Sequence, residues 1–556
     1  MADFMSRHRD LLSRAVEASK ARAFWTPFPE IPSGKIYGET ARTDGAEAFA
    51  ALKDTPFEIA GHPEERRIGG EVSPWGGALG ITYPAACPDT LIEASESAFD
   101  VWSEAPVEAR IGVCLEALTR LNAMSFLLGH ATEHTTGQAF PMAFQAGGPH
   151  AQDRGLEAVA AAHDELTRHA AETLWEKPQG KRPPIVIRKR WHIVPRGVAL
   201  TIGCNTFPNW NGYPGLFASL ATGNTVIVKP HPGAILPLAL TVRVLRDVLA
   251  EADLPRDAVL LAADEPGAEI TEDLVTHSAT RIVDYTGSGT FASWIRRHAG
   301  QALFFSEETG VNSVTILGTD DFRGMCANLA FSLSLYSGQM CTSPQNVYVP
   351  RGGIVTDEGP KTFDEVGAGL AEAIDALLED SDAAAQICGA IVRPEVAERA
   401  AEAASAGRVI RSGGETGHGR SATPWLVAVD GPAGPQEDEC FGPVAFLIPC
   451  DDGEAAISAA SGIAATKGAI TAALYSRDEG EIERASRAFA RAGVNLSVNL
   501  TGGIYVNQSA AFSDFHVTGG NPAGNASLTD TAFVAPRFRR AMVRWPEAPE
   551  TREHDA

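Results

Sequence analysis

Between Val198 and Glu307 short, wholly apolar runs alternate with amphipathic stretches. The runs are VALTIG (198–203), TVIVK (225–229), AVLLAA (258–263), RIVDYT (281–286) and ALFFSE (302–307). The stretch opened by Pro237 places Leu238, Val242, Leu245 and Leu249 on one face at helical spacing. Strands apolar on both sides, alternating with such helices, predict a parallel sheet covered on both faces, with ligands at the carboxyl ends of its strands. A second α/β pattern runs from about 311 to 505 and includes Ala-rich helices over 366–408. Trp102–Gly137 reads as long helices closed by Gly137, and Phe4–Ala23 as an amphipathic stretch followed by an extended FWTPFPEIPSGK. Ile185–Val194 and Phe533–Trp545 read as lone strands outside either unit, a type often used to pair subunits.

The fold class is therefore α/β, with a doubly wound parallel-sheet unit, a second α/β unit and small lone strands of the kind that join subunits. The expected division is 1–75, 76–182 with 195–310, 311–505, and 183–194 with 506–556. A length of 556 residues is ample for three or four such units. With 46 Lys+Arg against 70 Asp+Glu the net charge is −24, which argues against a protein that tracks nucleic-acid phosphates. No run approaches a membrane span, and the start MADFMSRHRD lacks the apolar core of a secretory signal. A soluble cytoplasmic protein is expected. Its eight cysteines are too sparse for a disulfide framework. His130 and His134, four apart on a helix, lack a third ligand, and no metal site is expected.

Four segments carry candidate chemistry. Cys341, in SGQMCTSP ahead of the apolar NVYV, has the small and polar neighbours of a presented nucleophile, or is simply buried. DYTGSGTFA (284–292) fits a G-x-G-x-x-A turn opening a helix, with Gly287 and Ser288 facing an anion. Glu307 lies 20 residues beyond Gly287, so a generic dinucleotide reading would assign it to ribose hydroxyls. Lys229 ends a buried strand in VKPHP, with His231 two residues on, and Glu439 and Phe441 flank an aromatic-Gly-Pro turn before the apolar VAFLI.

In this order, from GVALTIGCNTFPNWNGYPGLFASLATGNTVIVKP through YTGSGTFASWI, SEETGVNSVTIL and GQMCTSP to ECFGPV, the motifs resemble the aldehyde dehydrogenase superfamily over roughly 75–545. Cys341, 34 positions after Glu307, is the specific part of the match. A closer resemblance, over nearly the whole chain, is to the group acting in phenylacetic-acid degradation, carried by FWTPFPEIPSGKIYGET, HTTGQAFPMAFQAGGPHAQDRGLEAVA and AFSLSLYSGQMCTSPQN. For the four divisions the resemblance implies, in order, an N-terminal extension, a nucleotide-binding domain, a catalytic domain and a bridging element for oligomerisation. The resemblance implies that Cys341 attacks an aldehyde and that Glu307 activates water to release the acid. It implies Lys229, His231, Gly287, Ser288, Glu439 and Phe441 as cofactor contacts, and Asn209, Trp210, Tyr213 and Phe217 on the helix beside the aldehyde tunnel. A homodimer or homotetramer is implied, with a small-molecule aldehyde as partner and no nucleic acid or membrane.

Two positions depart from the family pattern. Ungapped alignment on Phe207-Pro208 puts Thr206 where the family has its oxyanion Asn; Asn205, one residue earlier, is the expected donor. NAD-selective members commonly have Glu three residues after the Lys, and here Pro232 stands there, so NADP is favoured over NAD. The substrate implied is a CoA-linked ring-cleavage semialdehyde oxidised to its acid. The alternatives are a CoA-acylating dehydrogenase and an inactive scaffold subunit.

Overall fold

The computed structural model describes residues 3–508 and 511–547. Strands Val259–Leu261, Thr225–Lys229, Val198–Ile202, Thr280–Thr286 and Leu303–Glu307 lie in that spatial order as a five-stranded, all-parallel sheet. The order turns back at Val198–Ile202, which starts the sheet from its middle, so crossovers leave on opposite faces and a crevice opens at the carboxyl ends. The faces are covered by Pro208–Ala221, Leu236–Glu251 and Gly289–His298, with Pro88–Glu104 packed on the same sheet.

The second lobe is a seven-stranded sheet in the order Arg408–Arg411, Trp425–Ala428, Val444–Cys450, Asn346–Pro350, Ser313–Ile316, Thr471–Tyr475, Asn495–Val498. Its pairs are parallel apart from the antiparallel edge at Arg408–Arg411. The three-stranded sheet joins Phe538–Pro546 to Arg182–Pro195, and that strand to Glu172–Gln179, all antiparallel. Arg537 anchors the C-terminal strand: its guanidinium is fully buried and bidentate to Asp284, 2.5 and 2.8 Å, with Ser219 Oγ accepting at 2.6 Å. Of the span 506–556 expected as one bridging element, only 538–546 lies in this sheet, whereas 511–530 runs back over the cleft. There Gly524 bridges Glu307 antiparallel, Glu308 N–H donates to Ala523 O at 2.7 Å, and Asn525 Oδ1 accepts from Ser306 N–H at 2.8 Å. Residues 509–510 and 548–556 of that span lie outside the described residues.

The N-terminal 75 residues have a defined place. Helix Phe4–Ala21 buries Phe4, Leu12 and Ala15 against helices Val107–Ala123 and Pro149–Thr167 of the first lobe. Glu116 takes Arg7 and His8, each at 2.7 Å, and Arg22 reaches the buried Glu157 at 3.1 Å. This fixes the direction in which 24–30 leaves the helix, toward the cleft. His130 and His134 stack on Phe49. Among the described residues no single helix is long and apolar enough to cross a membrane.

Candidate active site

The cleft between the lobes widens into a cavity of about 840 Å³. Cys341 and His516 stand in its wall, beside Trp210, Met340 and Asn507. The loop presenting Cys341 is held on both sides. Before it, Tyr336, Ser337 and Gly338 take left-handed φ of 51°, 51° and 65°, a turn that tertiary bonds must impose on the two non-glycine residues. Those bonds run from the Tyr336 hydroxyl to Thr136 O, and from the Ser337 hydroxyl to Cys388 O at 2.9 Å and Ala422 O at 2.6 Å. After it, the Asn312 amide donates to Cys341 O at 2.8 Å and Ser343 O at 3.0 Å, and its own oxygen accepts from Ile470 and Thr471. The thiol thus hangs from fixed backbone.

Glu307 ends its strand almost fully buried, and both carboxylate oxygens are engaged. Asn211 Nδ2 donates to Oε2 at 2.9 Å, and His516 Nε2 stands 3.2 Å from Oε1. The same Nε2 is 3.6 Å from Cys341 Sγ, so one imidazole nitrogen joins nucleophile and carboxylate. Burial pushes the Glu307 carboxyl up, but His516, the Cys341 thiol and the more distant Arg154 outweigh it and leave it below its usual range, hence ionised. Burial, and then the Glu307 carboxylate, push the Cys341 thiol well above its ordinary value, so at rest it is a thiol. The His516 ring is fixed edge-on to Trp210 at 4.4 Å, and Trp210 lies under the Arg154 guanidinium at 4.8 Å.

The cofactor candidates sit at the other strand ends. Lys229 is buried and pairs with Asp264 at 2.8 Å. Burial lowers its pKa, against the pull of Asp264 and Glu269. His231 accepts the Gly233 N–H on Nδ1 at 3.0 Å, and burial together with Arg393 and Lys229 lowers it to about 4, so it is neutral near pH 7. Ser288 caps helix Gly289–His298 by accepting from Phe291 N–H at 3.3 Å, and Gly287 N–H donates to Glu307 O at 3.1 Å. Glu439 meets only a long contact, 3.5 Å from Gly310 N–H, and desolvation raises it to about 7. Phe441 lies beyond it, its carbonyl accepting from Arg399 at 3.3 Å.

Several expected positions lie elsewhere. The Asn205 amide donates to Thr135 O at 3.3 Å, and the Thr206 hydroxyl points at Cys204 Sγ, 3.9 Å away. Asn211, six residues on in the first turn of the helix, is the amide that reaches Glu307. On that helix Trp210 faces the cavity, but Asn209, Tyr213 and Phe217 are sealed in packing. Asn209 donates to Gly147 O at 3.0 Å and Tyr213 bonds Thr241 at 2.8 Å. Their places in the wall are taken by Phe24, Trp25 and Phe28 from the N-terminal extension and by Phe331 and Tyr505. His516 had no motif to announce it.

The chain matches the family described as "Aldehyde dehydrogenase family" over residues 81–521. It belongs to the aldehyde dehydrogenase family. A solved structure of NAD-dependent aldehyde dehydrogenase from Burkholderia multivorans is 49% identical, with a TM-score of 0.97, covering 99% of this chain and 100% of that one. Similar curated aldehyde dehydrogenases include a 1-pyrroline-5-carboxylate dehydrogenase of Geobacillus kaustophilus, 28% identical over 59% of this chain and 63% of its own length. A benzaldehyde dehydrogenase [NAD(+)] of Pseudomonas putida is 27% identical over 48% of this chain and 52% of its own. The chain thus spans between half and two thirds of these relatives.

Proposed function

We propose that this aldehyde dehydrogenase oxidises an aldehyde to its acid through a thioester on Cys341, with a nicotinamide cofactor as electron acceptor. The observation that carries it is the cluster at the cavity wall: the Cys341 sulfur, a Glu307 oxygen and His516 Nε2 all lie within 4.8 Å of one another. Sγ attacks the carbonyl carbon as its proton passes into the His516–Glu307 pair, giving a thiohemiacetal. Lys229, Ser288 and Glu439 would hold a nicotinamide cofactor, which when bound accepts the hydride from the thiohemiacetal and so leaves the thioester. Once that proton has left the pair for solvent, the ionised Glu307 takes a proton from water as the water oxygen attacks the thioester carbon. The C–S bond breaks, the acid leaves, and the departing sulfur recovers the proton from Glu307 as the thiol. Glu439 fits the cofactor: a desolvated carboxyl without a short donor suits the hydroxyls of a ribose.

NADP was expected because no carboxylate follows Lys229 closely in the chain. The fold supplies one, since Asp264 neutralises Lys229, Glu269 faces both Lys229 and His231, and His231 itself is uncharged. Only Arg393 is left as a cation facing His231. A 2′-phosphate gains little from this set, and NAD becomes the preferred cofactor.

For the substrate we infer a ring-cleavage semialdehyde of phenylacetate catabolism, CoA-linked as the resemblance implies; a cavity of about 840 Å³ lined by aromatic rings has room for an extended acyl chain. An ionised Glu307 beside the thioester favours water over CoA as acyl acceptor. The exposed apolar residues of the three-stranded sheet, Trp175, Val194, Val543 and Trp545, support a homo-oligomer. Eight free thiols suit a reducing cytoplasm. The test is cofactor reduction with a panel of free and CoA-bound semialdehydes, with Cys341→Ala as control. Turnover that needs Cys341 supports the reading, and its absence across the panel favours a scaffold subunit.

A further inference from the structure

The Cys341–His516–Glu307 trio has the dimensions of a set of zinc ligands. Zinc binds thiolate sulfur at about 2.3 Å, imidazole nitrogen at about 2.0–2.1 Å and carboxylate oxygen at about 2.0–2.2 Å, which at tetrahedral angles places sulfur about 3.6 Å from nitrogen and nitrogen about 3.4 Å from oxygen. The distances here are 3.6 Å from Sγ to Nε2 and 3.2 Å from Nε2 to Oε1. Each ligand is already oriented from behind. Asn211 occupies the other Glu307 oxygen, and Cys204 in turn bonds the Asn211 oxygen at 3.5 Å. The Trp210 edge fixes the imidazole, and Asn312 fixes the Cys341 backbone. Such outer partners are what hold a metal's ligands in place. Cys341 and His516 open on the cavity, which leaves a fourth position for water.

We propose that this trio is an inhibitory zinc site: Zn²⁺ binds Cys341 Sγ, His516 Nε2 and Glu307 Oε1, with a water from the cavity as fourth ligand. The ion displaces the thiol proton to solvent and changes no oxidation state. It takes nucleophile and general base out of use together, so binding and turnover exclude each other. The inhibitory consequence rests on the function proposed above, whereas the binding itself does not.

The test titrates the full-length, chelator-treated protein with zinc chloride by calorimetry in buffers of different ionisation enthalpy, and follows Cys341 by iodoacetamide labelling and mass spectrometry. The expected result is one ion per chain, at least one proton released, and labelling of Cys341 slowed about tenfold at zinc ten times above Kd. Cys341→Ser and His516→Gln should abolish that one equivalent, and Asn211→Ala should weaken it about 10–100-fold by freeing Glu307. Circular dichroism checks that each variant is folded; should either ligand variant fail to fold, cobalt answers instead, since a thiolate-to-metal absorption band on the wild type marks Cys341 as ligand. No binding, binding without protection of Cys341, or binding undiminished in both ligand variants overturns the proposal. Cofactor reduction by chelator-treated enzyme is measured separately, so a failed zinc site and a failed dehydrogenase reading are told apart.

Discussion

Lys229 and Glu307 end two strands of the same parallel sheet, each 1–2% exposed, and they are made into opposite things by their neighbours. At Lys229 the Asp264 carboxylate at 2.8 Å cancels the charge, with Glu269 adding to it from farther off, and Pro230 O accepts a second bond at 2.6 Å. At Glu307 the charge is kept: the partners are a neutral amide and an imidazole that is itself shared with a thiol. Strand ends of a doubly wound sheet collect ionisable groups because the crevice opens there. What decides their use is whether the partner is a full opposite charge or a donor that leaves the charge available.

The largest test of that contrast is Glu307→Gln. It keeps shape and hydrogen bonding and removes the base, so kcat should fall about 10²–10⁴-fold while the first turnover still delivers reduced cofactor and a thioester trapped on Cys341. Rapid-quench mass spectrometry detects the acyl-enzyme. If instead the cofactor KM rises and no acyl-enzyme accumulates, Glu307 is a ribose ligand and its resemblance to Lys229 is closer than argued.

His516→Asn examines the other half of the contrast. A thiolate beside the Glu307 carboxylate is a pair of like charges in a buried place, and His516 is the group between them able to hold a proton. Asn211 is neutral, Arg154 acts across Trp210, and Glu439 adds to the repulsion. The pH at which Cys341 becomes alkylated should move up by about 1–3 units in the variant. An unmoved profile would leave His516 as packing against Trp210.

These two residues also mark where reading the chain stops. The strands, the Cys341 segment and the Glu307 strand end were legible because each is local: a run of apolar residues, or a few neighbours around one side chain. His516 was not, since 175 positions separate it from Cys341 and 209 from Glu307, and only the return of 511–530 to the Glu307 strand brings it in. Asp264 changes the meaning of Lys229 from 35 residues away, through the neighbouring strand Val259–Leu261. The expectation of Asn205 over Thr206 rests on alignment, which fixes position along the chain, whereas the turn into helix Pro208–Ala221 is what brings the Asn211 amide to Glu307. The aromatic wall from 24–28 follows from how Phe4–Ala21 docks, which composition does not reveal.

At the Lys229 end, Asp264→Asn should free the ammonium and lower the KM for NADP relative to NAD by about tenfold, the equivalent of 1.4 kcal/mol. Steady-state kinetics with both cofactors gives the ratio. A ratio that stays put would mean that Asp264 serves the strand end alone.

The smallest effect concerns Glu439, a carboxyl that resembles neither strand end: among the described residues its hydrogen bond is the long one from Gly310 N–H, with Arg399 acting only through its charge. Desolvation raises it to about 7, so it is protonated below that pH and ionised above it. An ionised carboxylate accepts from ribose hydroxyls better than a neutral acid does. Cofactor KM should therefore fall as pH rises through about 7, by several-fold, and Glu439→Gln should flatten that part of the profile. The same shift has a consequence of opposite sign for the cofactor-free fold. With the folded pKa above the unfolded one, the native chain holds the extra proton between about 4.5 and 7, so stability declines across that window as pH increases and loses its full increment above it. Cofactor binding should oppose the decline, since the ribose hydroxyls solvate the charge that the empty fold leaves bare. Thermal melts at pH 5 and pH 8, with and without cofactor, separate the two: the stabilisation by cofactor should be the larger at pH 8, and equal increments would remove Glu439 from the cofactor site.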